Sequence, residues 1–495
     1  MGEAGIQRFV NGPIGYSPDA LPLCGPAYGL PNFYHACGIQ IGITHSAAVG
    51  KAIAEWVTEG ETEWDYSAWD SRRFGDWVTT EYAQKRIVEL YDLQYAIPFP
   101  HRIIQSGRPL QITPLYENLK QQSAVFGQIG GWERAFWFDT EASNNPELLS
   151  FRHIEPWHVA VKRECEAVRD HVGIIDHGGF TKYEVEGVGA SEFPDQIFCG
   201  RLPEIGRVKL SYMLTPNGKI WSEATIARLD RERYLLCGPT LADLRDFDWL
   251  NSQSPNDGSV QLKRGSEYDA ALMVMGPKSR ALLSKLTNAS LTDPWMSVAE
   301  IELAGSQMIA MRVSYVGEFG WELHLQSSDL TRVYQAISEA GEENGLVNFG
   351  SYALNSMRIE KAYHGWGSDF GSEYTMFDAG LEKFIDFSKA NFIGKKAAAQ
   401  QKEEKPEWRF VRMIVDMDDA EPLSSDPVLL DNKCVGYITS ASFGYRVSKC
   451  IALAYLNNDI AENNNAFEIE ILGMNRTASI CRTAFYDPDN IRLKS

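Results

Sequence analysis

Residues Met213 to Leu229, MLTPNGKIWSEATIARL, hold a turn followed by an alternating strand. Pro216-Asn217-Gly218 is the turn, because Pro pre-sets one backbone angle and Asn-Gly tolerates the left-handed one. In the strand, Ile220, Ala224 and Ile226 share one face, while Trp221, Glu223 and Thr225 share the other. A carboxylate beside an indole on a strand is ordinarily a solvated edge residue. If its face lines a pocket, Glu223 can ion-pair or hydrogen-bond a basic nitrogen of a ligand.

Two further stretches carry chemistry. In MIAMRVSYVGEFGWELHLQ (Met308 to Gln326), Ile309, Met311 and Val313 are expected to alternate inward, and VGEFG supplies a turn. Trp321, Leu323 and Leu325 alternate on the return strand, so Glu322 and His324 point to the opposite face. Glu322 then reads either as a solvent-facing residue or as an acceptor for an amino-pyrimidine edge, with Tyr315 offering a ring to stack on. In SYALNSMRIEKAYHGWGSDF (Ser351 to Phe370), Ser351 is expected to cap a helix that places Leu354 and Arg358 on one face. An inward Arg needs an anion, either Glu360 or another internal acid, or a ligand carboxylate.

The chain has 495 residues, 44% apolar and 23% charged, which suits a soluble protein of several domains. Lys plus Arg is 47 and Asp plus Glu is 66, a net charge of −19. That balance argues against nucleic acid as a partner, since neutralising phosphates takes clustered cations. The eight cysteines, at 24, 37, 165, 199, 237, 434, 450 and 481, include no Cys-x-x-Cys pair and read as scattered thiols, neither a zinc site nor a disulfide frame. No apolar run is long enough for a signal peptide or a membrane span, so no membrane partner is expected. The expected compartment is the cytoplasm, or the mitochondrial matrix in a eukaryote.

Along the chain, Asn11 to Pro26 is crowded with Gly and Pro and is expected to be loop. Phe33, Tyr34, Ala36 and Cys37 read as a buried strand, Gly38 and Gly42 permit a tight approach, and Ser46 to Val57 is a helix closed by Gly60. Glu155-Pro156 opens a helix with apolar positions at Val159, Val161 and Val168, and mixed helix and strand runs on to about 400. Ala397 to Trp408 reads as a linker before a strand-rich unit holding VGYITSASFGY (Val435 to Tyr445).

Together, VGIIDHGGFTKYEVEG, MLTPNGKIWSEATIARL, MGPKSRALL, SYVGEFGWEL, ALNSMRIEKAYHGWGSD, FIGKKA and VGYITSASF resemble the folate-binding aminomethyltransferase family, the glycine cleavage T-protein. The resemblance is strongest to the C-terminal halves of the dimethylglycine and sarcosine dehydrogenase family. It implies an α+β, multidomain fold: a flavin-oxidoreductase tail over 1–95, a connector over 96–150 that contains GGWERAFWF, a folate-binding domain over 151–400 and a C-terminal β-barrel over 405–495. It further implies tetrahydrofolate as cofactor, with Met213, Tyr315, Glu322, Arg358 and Trp366 around it. Glu322 would hold the pterin edge, Tyr315 and Trp366 would line the cleft, and Arg358 would take the p-aminobenzoyl or tail side. The family's catalytic Asp, two positions before the strand's Thr, is Glu223 here. One extra methylene changes its reach by roughly 1–1.5 Å.

The implied activity is capture of the methylene from oxidised dimethylglycine or sarcosine, a small N-methyl amine, as 5,10-methylenetetrahydrofolate. No G-x-G-x-x-G opens a strand–helix unit, so FAD is expected only if a flavin-domain partner chain supplies the dinucleotide-binding half, or if the sequence is cut from a longer enzyme. Gly38 and Gly42 would then be a residual flavin-side contact. Two alternatives are folate-dependent O- or S-demethylation and a non-catalytic regulatory or scaffold subunit.

Overall fold

Alternating strands that are apolar on one face must pair and cover that face, and two largely antiparallel sheets result, the second with one parallel edge pair. In the computed structural model the described residues are 5, 7–140, 149–152, 157–417 and 419–495. They form two compact units, Met1–Ile97 with Gln105–Arg108, and Pro98–Ile104 with Pro109–Ser495.

In the smaller unit, β1 (Leu23–Pro26) pairs antiparallel with β2 (Tyr34–Cys37), and helices span Gly42–Thr58 and Thr80–Leu93. Val49, Ala52 and Trp56 of the first helix close over Cys24. Three expectations need correction. Leu23–Pro26 is a strand, not loop. The strand at Tyr34–Cys37 is not buried: Ala36 and Cys37 are exposed, because only β1 and one helix cover so small a sheet. The helix begins at Gly42, a turn earlier than expected. Gly60 does follow its end with φ +79°.

The larger unit opens with a hairpin, β3 (Ala124–Ile129) and β4 (Trp132–Phe138). The first five-stranded sheet has the order β10-β6-β9-β8-β7, from β6 (Thr181–Glu186), β7 (Arg207–Leu214), β8 (Ile220–Arg228), β9 (Arg233–Gly238) and β10 (Gln261–Arg264). The second has the order β12-β13-β14-β11-β5-β15, from β5 (Val172–Asp176), β11 (Ala270–Met275), β12 (Val298–Leu303), β13 (Ser306–Met311), β14 (Gly320–Leu325) and β15 (Leu346–Asn348). The helix Ser327–Gly341 buries Leu330, Val333, Tyr334 and Ile337, spaced for one helical face, against the second sheet. Each such side chain contributes about 1.5–3 kcal/mol on burial.

That second sheet is apolar on both faces. Trp321, Leu323 and Leu325 share a core with Met308 and Ala310, whereas Ile309, Met311 and Val313 pack with Val208, Ala227 and Leu235 of the first sheet. The expected inward trio therefore lies on the face of Glu322 and His324, across from Met311 and Ile309 respectively. A sheet covered on both sides does not reveal by alternation which face is inner.

In the helix Trp157–Asp170, Val161 and Val168 are buried but Val159 is 57% exposed. The expected opening at Glu155-Pro156 lies outside the described residues. The helix Ser351–Glu360 starts after Gly350, not with Ser351 as cap. A Cβ at 350 would run into the Phe136 carbonyl of β4, which explains the glycine. The expected linker at 397–408 begins inside a short helix, Lys395–Gln401. Beyond it, β16 (Trp408–Val415), β17 (Pro427–Leu430), β18 (Lys433–Gly444), β19 (Lys449–Asn457), β20 (Ala466–Ile471) and β21 (Met474–Cys481) close into a barrel in the order β16-β19-β18-β17-β20-β21.

Candidate functional site

The inner face of the first sheet carries Glu223. Tyr212 lies directly opposite it on β7, and Thr225, two residues along β8, lies opposite Cys237 on β9. Cys237 in turn pairs with Lys182 on β6. One face thus runs from Tyr212 and Glu223 through Thr225 and Cys237 to Lys182. Glu223 is half-buried, and among the described residues neither of its carboxyl oxygens has a hydrogen-bond partner. Burial, reinforced by the nearby charge of Asp369, pushes its carboxyl up to about 8. An acid so placed keeps its proton near neutral pH and gives it up when positive charge arrives beside it.

At the other end, Glu322 stands between Met273 and Met311, and His324 between Ala271 and Ile309. Lys182 reaches across from the first sheet and donates to the carbonyl of Ala270 at 3.0 Å and to that of Tyr268. His177 donates its backbone N–H to Ala271 and stacks on Phe180, ring centroids 3.9 Å apart. Burial opposes charge on Glu322, but His324, His177 and Lys182 outweigh it and hold the carboxyl below its ordinary value. Burial pushes His177 down to about 3 and Lys182 to about 8. Among the described residues the one side chain within ion-pair distance of the Glu322 carboxylate is His324, whose Nε2 is 3.5 Å away, too long for a firm hydrogen bond. A half-buried carboxylate with acceptors left over is suited to a ligand edge that presents paired N–H donors.

Arg358 lies fully inside. It donates from Nε to Asn355 Oδ1 (3.0 Å), from Nη1 to the Tyr363 carbonyl (3.0 Å) and to Asp369, and from Nη2 to Ser440 (3.0 Å). Its anion is Asp369, which also accepts from Thr439 at 2.6 Å and from the Gly365 amide at 2.8 Å. Glu360, the other internal candidate, pairs instead with Arg169. Tyr315 donates to the His364 carbonyl (2.7 Å) and stacks on Tyr363, centroids 6.0 Å apart. Trp366 lies beside Arg245, 4.9 Å from its ring centroid, and its buried indole N–H has no partner among the described residues. Arg358 thus holds the segment that bears Tyr363 and Trp366, and its guanidinium is largely occupied by protein acceptors.

Met213 is placed elsewhere. A regular hairpin across Pro216–Gly218 would set it opposite Trp221, on the face of Glu223. A bulge between Met213 and Leu214 shifts the register, so Met213 opposes Ser222 and packs with Phe193, Ile197 and Phe198. The expectation that Met213 lines the cofactor cleft is corrected accordingly; Tyr212 has that face.

The family description "GCVT N-terminal domain" matches residues 115–389, and "Glycine cleavage T-protein C-terminal barrel domain" matches 409–487. The chain belongs to the GCVT family. A third description, "FAD dependent oxidoreductase central domain", matches 59–113. Mitochondrial dimethylglycine dehydrogenase of Mus musculus is 34% identical over 99% of the chain, and mitochondrial sarcosine dehydrogenase of Homo sapiens is 28% identical over 99%. The chain spans 57% and 59% of those two relatives, a little over half of each. Glycine cleavage system aminomethyltransferase T of Bartonella henselae has the same fold, with a TM-score of 0.67 at 22% identity, over 77% of this chain and 99% of that one.

In this GCVT chain, sequence reasoning alone passes over Tyr212, Lys182, His177 and Asp369. Lys182 alternates with Tyr183 and Val185 and so falls in line with Glu184 and Glu186, a pattern that reads as solvent-facing; the second sheet covers only its Lys182 end. Outside the GCVT match, Gly38 has φ +64° and packs near Leu23, and Gly42 opens the first helix with free space around it. The strand before that helix pairs antiparallel, so this is no parallel βαβ unit, and it does not fit a pyrophosphate cradle. Among the described residues no helix is long and apolar enough to cross a membrane.

Proposed function

We propose that this GCVT-family chain binds a reduced folate between its two sheets and serves one-carbon transfer from a small N-methyl amine of the dimethylglycine or sarcosine type. The observation that carries the reading is a pair of acids on facing sheets, Glu223 and Glu322, neither firmly hydrogen-bonded within the protein. Tetrahydrofolate, when bound, supplies the amine that takes up the methylene as 5,10-methylenetetrahydrofolate. Glu322 accepts from the pterin's amino edge, and Tyr315 and Trp366 flank the ring system. Glu223 holds a proton in the empty cleft and becomes a carboxylate when positive charge develops next to it, which lowers the energy of that charge. Arg358 fixes Asp369 and the 363–366 segment, and so orients the aromatic wall.

Oxidation of the amine falls to a flavin domain outside this chain, in the same polypeptide or on a partner. Exposed apolar side chains in the smaller unit, Ile43 at 96% and Phe9 at 86% among them, support such a partner, since isolated domains seldom leave that much apolar surface wet. The test is calorimetric titration of the chain with tetrahydrofolate under reducing conditions. Saturable binding that Glu322→Ala abolishes supports the reading; no heat at millimolar ligand overturns it, as does binding indifferent to Glu322→Ala.

A further inference from the structure

Behind the cleft lies a buried ionic network that substrate chemistry does not require. Arg169, fully buried in the helix Trp157–Asp170, donates to Glu360 Oε2 (2.7 Å), to Glu318 Oε1 (3.3 Å) and to the Val316 carbonyl (2.6 Å). Glu318 sits in the turn between Tyr315 and Glu322, and Glu360 sits two residues beyond Arg358. Both acids are 1% exposed. The segment Phe485–Ser495, which follows the last barrel strand, seals this network. Tyr486 donates its hydroxyl to Glu318 (2.5 Å), Arg492 Nε donates to the same carboxylate (3.0 Å), and the amides of Phe485 and Tyr486 donate to the Glu360 carbonyl.

The segment also grips the next residue in line. Lys361 Nζ donates to the Asp487 carbonyl (2.6 Å) and to Asn490 Oδ1 (2.8 Å). Ala362 then takes φ +55°, a left-handed conformation that a residue with a Cβ adopts only when its surroundings impose it. Immediately after it, the Tyr363 carbonyl accepts from Arg358 and the His364 carbonyl accepts from Tyr315. Tyr315 of the proposed folate wall and Arg358, which orients that wall, thus hang on one strained turn, and that turn is anchored from outside.

We propose that Phe485–Ser495 is a clamp that positions Tyr315 and Arg358 by holding the turn Lys361–His364 and the carboxylate of Glu318. Tyr486, Asn490 and Arg492 are its positioning residues; none of them reaches the cleft. The inference rests on the folate reading for its consequence in binding, but the clamping itself is measurable without any ligand.

The experiment uses the full chain with Tyr486→Phe and with the pair Asn490→Gly and Arg492→Gln, the glycine chosen because Asn490 itself has φ +57°. Amide hydrogen exchange is read at Ala362, Tyr363 and Gly365, with Ala452 and Leu453 of β19 as internal controls. Exchange at the turn is expected to accelerate roughly tenfold or more in the pair while the controls hold, because a local opening is released without global unfolding. Arg492→Lys should restore it in part. Tetrahydrofolate affinity should fall roughly ten- to a hundredfold in the pair, as for a wall displaced by an ångström. Unchanged exchange at the turn, or an equal rise at the β19 amides, overturns the clamp. If the unaltered chain binds no folate while the turn still loosens, the folate reading fails and the clamp stands. Should Asn490→Gly with Arg492→Gln prevent folding, Tyr486→Phe, which deletes a single hydroxyl, decides by the same exchange measurement.

Discussion

Tyr212 and Glu223 face each other directly across β7 and β8, an aromatic hydroxyl beside a carboxyl that keeps its proton to about 8. Burial drives both groups toward their neutral forms, and a neighbouring acid raises each further: Glu223 acts on Tyr212, and Asp369 acts on Glu223. The Glu223 carboxyl is therefore uncharged near neutral pH, while Glu322 is held as an anion.

The titration has a defined sign. Glu223 rises from an ordinary 4.5 to about 8 on folding, so its contribution to stability is full below 4.5 and is lost as pH climbs through 8. Glu223→Gln should gain stability relative to the unaltered chain between pH 5 and 9, by at most about 1.4 kcal/mol for each step of one in pH. Urea unfolding at several pH values measures this. The slope will be reduced and not abolished, because Glu164 is likewise pushed up to about 8 by burial and remains. A parallel pair of stability curves would refute the assignment.

Arg358 and Asp369 are both nearly fully buried, so removing one leaves the other as an unpaired internal charge. Arg358→Met should cost about 3–5 kcal/mol. The double variant Arg358→Met with Asp369→Asn should recover a substantial part of that loss, since neither partner is then stranded. Thermal unfolding of the two proteins side by side tests it; a single variant as stable as the parent would contradict the pairing.

Glu322→Gln keeps the shape of the side chain and removes its charge. Hydrogen bonds to a charged group are worth about 1.5–3 kcal/mol, so tetrahydrofolate affinity should drop roughly ten- to a hundredfold. Folding stability at neutral pH should fall modestly, because His324, His177 and Lys182 favour the charged form that the variant lacks. Calorimetric Kd and melting temperature, taken together, separate the two effects.

Gly350→Ala tests how the helix bearing Arg358 is seated. An added Cβ meets the backbone of Phe136 and Trp137 in β4, which has no rotamer to yield. The expected loss is about 1–3 kcal/mol or more, visible as a lower urea midpoint. Gly42→Ala, with nothing near its Cβ, is the matched control and should be neutral or mildly stabilising.

How far the site can be read in advance differs from residue to residue. The alternation around Glu223 is legible because period two survives in most of the strand, and Ala224 and Ile226 do lie buried together on the opposite side, whereas Ile220, across the bulge, packs with Tyr212 and Leu214 instead. Met213 is not, because one extra residue in a bulge reverses the faces, and no local signal announces it. Arg358 is legible as an inward cation needing an anion, but its partner Asp369 lies eleven residues on, past a left-handed Ala362 that sequence does not announce.

The sequence by itself determined the acid-bearing strands, the turn chemistry and the family, since these depend on near neighbours and on patterns that survive without a third dimension. Only the tertiary structure decided which faces meet. Two sheets, each apolar where they touch, bring Lys182 to Glu322 and leave Glu223 facing the same interior, and the segment after the barrel returns to hold the turn beside them. Those pairings join residues as much as 323 positions apart, as Arg492 and Arg169 are, and the free energy that selects them comes from burial shared by the whole unit.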